Sequence, residues 1–327
     1  MEIERRALYN LMRMSWLADS TIAAEPWQVE DYRALSLDLI FSRLKAHDIA
    51  LTRNGLVAFA AEVDTPEELT DLVLHDDADV VEQDQVYLLL FEVWRRLITD
   101  RPSLSIFCDE LDHMIYKYDN DATMDEEGMH DIIANLQDVL NQNFDQGAPP
   151  QEVFEMITGN CANDIENFLY DYILVQLHEK NEGYASELIE GFSPYVSEQK
   201  WFSLLRAEQV ATHDMPEALS EIKKLVQQYS DKGDLEFNLE LLSFMIKGGP
   251  HDLFVQVLQK TLPLLQVEEE YRELLMCCKD FFHERGKEAA EMVLEKIATK
   301  RSHYFADSTI NSKDQTFEEL LTLFKNK

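Results

Sequence analysis

Apolar residues recur along most of the chain every three to four positions, the period of an α-helix that buries one side. The pattern is most regular from Ser197 to Thr299, where six helix-length amphipathic segments begin near Ser197, Met215, Asp234, Pro250, Val267 and Lys287. Taken in pairs they make units of about 34 to 37 residues, the length of one helix-turn-helix unit in a repeat array. Each start has a local signal. Pro216 and Pro250 suit a first helical turn, Gly233 precedes Asp234, Glu268 to Glu270 place three carboxylates at a helix N-terminus, and Gly286 divides the last pair. Pro263, inside the apolar run Leu258 to Leu265, kinks or shortens its helix.

The same reading carries through the rest of the chain. Leu8, Leu11, Met12 and Trp16 predict a helix over Ile3 to Leu17, and Tyr32, Leu35, Leu39 and Ile40 a single helix over Pro26 to Ala46. Asn54-Gly55 reads as a turn before the apolar segment Leu56 to Val63. Thr65-Pro66-Glu67-Glu68 combines a hydroxyl cap, a proline and early carboxylates, so a short helix to Leu74 follows. His75 to Asp79 reads as an acidic loop. Val80 to Thr99 is apolar over a wide face and is expected at the centre of the N-terminal core. Pro102 to Tyr118 and Met124 to Phe144 read as a helical hairpin joined by Asp119 to Thr123. Gly147-Ala148-Pro149-Pro150 breaks the chain, Gln151 to Thr158 is a short helix, and Asn163 is placed to cap a helix over Asp164 to Lys180. Gly183 to Gly191 gives a further helix, Ala306 to Asp314 a loop, and Phe317 to Phe324 a terminal helix. Strand-like alternation is hard to find. The expected fold is all-α: an acidic helical bundle over 1–146, connecting helices over 147–195, and a helical-repeat solenoid over 196–327.

Over those last residues the chain resembles the tetratricopeptide (TPR) family, whose repeats open with an aromatic, then Leu-Gly, then Tyr. Trp201 is followed here by Leu204-Leu205 and Glu208, Phe237 by Glu240-Leu241 and Phe244, and Tyr271 by Leu274-Leu275 and Cys278. The period fits and the family's glycine is absent from all three units. The resemblance implies a concave groove lined by Phe202, Arg206 and Gln209, by Asn238, Leu242 and Met245, and by Arg272, Met276 and Lys279. Guanidinium groups hold carboxylates and Asn pairs with peptide backbone, so such a groove suits an acidic peptide or a C-terminal carboxylate.

Charge narrows the partners. The formal net charge is -34, from 29 basic and 63 acidic residues, which disfavours nucleic-acid phosphates and anionic membranes. Residues 1–195 hold 12 of the basic and 40 of the acidic residues, which reads first as a solvated acidic surface and, as the alternative, as a surface for a basic partner of the N-terminal half. Cys108, Cys161, Cys277 and Cys278 have no zinc-site spacing and read as reduced and mostly buried. The N-terminus does not read as a signal peptide, and the longest apolar run, Val86 to Phe91, is too short for a bilayer, so a cytoplasmic protein is expected.

Candidate chemistry is sparse. Glu110-x-x-His113 and Glu127-x-x-His130 have the spacing of di-iron ligands, but the predicted core stripes leave His113 and Glu127 pointing away from the helical core, where metal ligands would have to face. The Asp119 joint lacks a calcium loop's glycine at Met124 and its glutamate at His130. Asp109, Glu110 and Asp112 read as a solvated helix face. Nucleophile-elbow, P-loop and dinucleotide motifs are missing. The first expectation is therefore a non-enzymatic, cofactor-free protein- or peptide-binding adaptor. The alternatives are a charge-based regulator and a metal-dependent helical enzyme.

Overall fold

A computed structural model describes residues 4–75, 78–101, 103–120, 126–145, 147–311 and 314–325. Their regular elements are helices, and β-type pairing among them is confined to an isolated bridge between Val267 and Thr309. The chain divides into two compact units, one of residues 1–169 with 194–196, the other of residues 170–193 with 197–327. The Gly147 to Pro150 break lies inside the first unit. Residues 121–123 of the expected Asp119 to Thr123 joint, 124–125 at the start of the expected Met124 to Phe144 helix, and 76–77 of the expected acidic loop lie outside the described residues.

The first unit contains α1 (Arg5–Ala18), α2 (Leu37–Ala46), α3 (Arg53–Ala60), α4 (Pro66–Val73), α5 (Val80–Leu97), α6 (Leu104–Asn120), α7 (Glu126–Asp145), α8 (Pro150–Thr158) and the start of α9 (Ile165–His178). α5 is its axis. Every residue from Val86 to Trp94 is buried, and α2 and α4 pack against it. The stripe Met129, Ile133, Leu136 and Leu140 of α7 is buried as its spacing requires. Thr65 accepts the Glu68 N–H at 3.1 Å, with Pro66 in the first turn of α4.

Four local expectations are corrected. Pro26 to Ala46 is not one helix but two 3-10 turns, Pro26–Gln28 and Tyr32–Ala34, followed by α2. The Arg96 guanidinium takes the carbonyls of Tyr32, Arg33 and Leu35, which a continuous helix would need for itself, and Ser36 then caps α2. Asn54-Gly55 opens α3 rather than turning before it, because Thr52 accepts the Gly55 N–H. Asp164, not Asn163, caps α9, accepting the N–H groups of Glu166 and Asn167. The Asp109 to Asp112 face is buried rather than solvated: Asp109 and Asp112 are each only 2% exposed.

Those carboxylates are satisfied by a network that ties α1, α5 and α6 together. Asp109 accepts Arg6 Nε at 2.6 Å and Asn10 at 3.0 Å, and also pairs with Arg33. Buried Glu92 receives both Arg95 and Arg96, and Glu110 receives Arg33 and Arg95. Asp112 accepts the N–H groups of Ala162 and Asn163, which fixes the chain between α8 and α9. Burial alone would raise the Asp109 pKa, yet the charges of Arg6 and Arg33 prevail and hold it at about 2.

The second unit runs from the rest of α9 through α10 (Glu182–Phe192), α11 (Gln199–Ala211), α12 (Met215–Tyr229), α13 (Leu235–Met245), α14 (His251–Thr261), α15 (Glu268–His283), α16 (Glu288–Arg301) and α17 (Gln315–Lys325). α11 packs on α12, α13 on α14 and α15 on α16, while α11, α13 and α15 pack in a row. Aromatic rings meet edge to face from α9 into that row, Tyr170 with Trp201 and Trp201 with Phe237, each pair with centroids 5.0 Å apart. α14 ends at Thr261 and a 3-10 turn, Leu262–Leu264, carries Pro263. At the far end Phe254 stacks on Phe281 at 3.8 Å and Phe324 of α17 packs on Phe282 at 4.5 Å.

Candidate functional site

The nine residues expected in a TPR-type groove do not share one surface. Phe202, Asn238, Leu242 and Met245 are wholly buried between helices, so they are core positions. The three cations have local partners. Arg206 donates to Ser193 Oγ, Lys279 pairs with Glu295 at 2.8 Å, and Arg272 donates to the carbonyls of Arg301 and Tyr304, which lie at and just beyond the end of α16. Gln209 is half-buried, and Met276 stands 62% exposed.

A recess in the second unit lies elsewhere, at the end of the row of helical hairpins. It is bounded by the start of α14, the end of α15, the start of α16 and the last turns of α17, and its volume is about 680 Å³. That is the size of sites that bury a small ligand or a few peptide side chains. Its surface is mostly apolar, formed by Phe282, Val293, Leu323, Pro250 and the paired alanines Ala289 and Ala290. On the α16 side the lining is two methyl groups, which leaves the recess open there.

Two turns place the polar rim. Gly286, at φ +63, ends α15 in a Schellman turn, with the Gly286 N–H bonded to the His283 carbonyl and the Lys287 N–H to that of Phe282. Arg285 and Lys287 thereby flank the turn. Arg285 lies over the Phe281 ring and donates to the carbonyls of Phe281, Ile246 and Gly249, leaving two of its five N–H donors. Gly249 is needed there, since a Cβ would meet Met245 side-chain and backbone atoms at 2.3 to 2.7 Å. Lys287 is exposed and has no ion-pair partner among the described residues, and no side chain caps the helix it begins. His251 completes the rim, packed on Phe281 and Phe324, with Asp252 beside it. Three basic side chains face one carboxylate, in a chain of net charge -34.

The first unit has a polar cavity of about 50 Å³, bordered by Arg6, Asn10, Arg33, Asp109, Asp112 and His113. It has room for a few waters and belongs to the ion network. Burial, with Arg33 and Lys117 nearby, lowers the His113 pKa. Glu110 is held by two arginines, and among the described residues no group of three or more His, Cys, Asp or Glu is arranged to hold a metal ion. The cysteines are free; burial pushes Cys277 up to about 12, so its thiol stays protonated at neutral pH. No helix among the described residues is long and apolar enough to cross a membrane.

Sequence reasoning missed the recess because it took the groove register from the aromatics of the first helices. The available signal was the cation pair Arg285 and Lys287 around Gly286, followed by Ala289-Ala290. No protein-family model, curated protein or solved structure matches this chain.

Proposed function

We propose that this is a non-enzymatic binding protein whose second unit, a TPR-like array of helical hairpins, takes an apolar peptide segment carrying a carboxylate. The supporting observation is the recess of about 680 Å³ at the end of the array, apolar inside and rimmed by His251, Arg285 and Lys287. An apolar side chain fills the space over Phe282, Val293 and Leu323, and the carboxylate meets Arg285 and Lys287 beside the positive end of α16. The acidic first unit, most of whose arginines already face carboxylates, suits a basic partner by the same electrostatic logic.

The test is fluorescence anisotropy with a labelled hexapeptide ending in Leu-Phe, as the free acid and as the amide. The free acid should bind, amidation should weaken it, and Val293→Glu should abolish binding while leaving helicity unchanged by circular dichroism. Binding that Val293→Glu leaves intact would overturn the assignment.

A further inference from the structure

Resting on that reading of the groove, we propose that the segment it takes is carried by a second copy of this chain: the aromatic tip Tyr304-Phe305-Ala306-Asp307 between α16 and α17. Phe305 is 80% exposed and Tyr304 45%, in a protein whose other phenylalanines and tyrosines are mostly buried. Asp307 is exposed two residues further on, with no cationic partner among the described residues. An aromatic ring followed by a carboxylate matches an apolar recess followed by Arg285 and Lys287.

The tip is held rigid. Ala306 and Ser308 carbonyls accept the N–H groups of Glu269 and Glu268, and the Ile310 N–H donates to Gln266. Arg272 donates to the Tyr304 carbonyl at 2.7 Å. Beneath it Arg301 bonds Glu268 and Asp314 in a buried cluster. A tip anchored in this way loses little freedom when it docks. Its anchor also excludes its own groove as the destination. The tip is tied to the first turn of α15, whereas Phe282 and Arg285 lie at that helix's other end, about 20 Å away at 1.5 Å per residue. Tip and groove therefore sit at opposite ends of the α15–α16 hairpin, and the contact is head-to-tail: each copy offers a tip to one neighbour and a groove to another. The net charge of -34 opposes the association at low ionic strength, so salt promotes it.

Sedimentation velocity on the full chain, across a concentration series at low and high NaCl, tests this. Wild type should form species that grow with concentration and with salt. Phe305→Ser, a change at an exposed position, should weaken association by roughly tenfold or more, as expected for withdrawing one buried ring. Val293→Glu should do the same from the groove side. Mixing these two variants should restore a contact and stop at a one-to-one pair, since only one intact tip and one intact groove can meet. Lys287→Asp should weaken association, and pairing it with Asp307→Lys in the other copy should recover it. A wild type that stays monomeric at every concentration and salt, or association that Phe305→Ser leaves unchanged, overturns the proposal. The peptide measurement separates this from the groove itself: peptide binding by a monomeric chain leaves the groove standing and removes the second copy as its occupant, whereas loss of both removes both.

Discussion

At the scale of single residues, Asp109 governs the first unit. It is buried with Arg6 and Arg33, so removing its charge leaves two guanidinium groups with a buried counter-charge missing. Breaking such a pair costs roughly 3 to 5 kcal/mol. Asp109→Asn should lower the stability of the first unit by that order in denaturant titrations near neutral pH. The acid limb follows the same residue. Its folded pKa of about 2 lies below the roughly 3.9 of an unfolded Asp, so its contribution is complete above that value and is lost as pH falls towards 2. The variant should therefore show a shallower loss of stability below about pH 4; an unchanged acid limb would show that Asp109 does not carry it. Composition could not disclose this role. Asp109, Glu110 and Asp112 are three carboxylates on one short stretch, and only the arginines brought by α1 and α5, together with Arg33, turn them from a hydrated face into a core.

At the scale of elements, helix existence was legible and helix partners were not. The 3.6-residue period and the caps place α4, α5, α12, α13 and α15 close to where they stand, because these signals are local. The break of Pro26 to Ala46 was hidden, since its cause is Arg96, more than fifty residues away in the chain. The groove was hidden for a related reason. Its register was taken from the tetratricopeptide pattern, whereas here Leu242 and Met245 fill the interior instead of facing a cleft. The packing of α11 on α13 has its own titration signature. Glu208 on α11 is pushed up to about 7 by burial and by Glu240 on α13, with Lys247 opposing, and Glu240 is itself raised. A carboxyl whose folded pKa is raised binds its proton more tightly in the folded state, so stability grows as pH falls from above 7 towards the unfolded value near 4.3. Thermal melts should show Tm rising over that interval. Glu208→Gln should raise Tm at about pH 8 and flatten the rise; a variant that keeps the full slope would assign it to other groups.

For the whole molecule, the decisive quantity is where the charge remains. Of the 12 basic residues in 1–195, Arg5, Arg6, Arg13, Arg33, Arg43, Arg95 and Arg96 face carboxylates, and Arg101 serves the carbonyls of Ala60 and Val63. The acidic residues left over far outnumber the remaining cations of 1–195, and their mutual repulsion acts against the compact state. Salt weakens repulsion between exposed charges, the Debye length shrinking from about 10 Å at 0.1 M to about 3 Å at 1 M. Buried pairs such as Arg6 with Asp109 and Arg301 with Glu268 are shielded from that screening. Added NaCl should therefore raise Tm near pH 7, the gain from reduced repulsion outweighing the weakening of exposed pairs such as Lys224 with Glu221. The control is pH itself. Near the sequence pI of about 4.5 the repulsion cancels, and the salt-induced rise in Tm should shrink or vanish. A rise of equal size at both pH values would mean that salt acts through apolar surface instead, and a fall near pH 7 would mean that exposed ion pairs outweigh the excess of carboxylates.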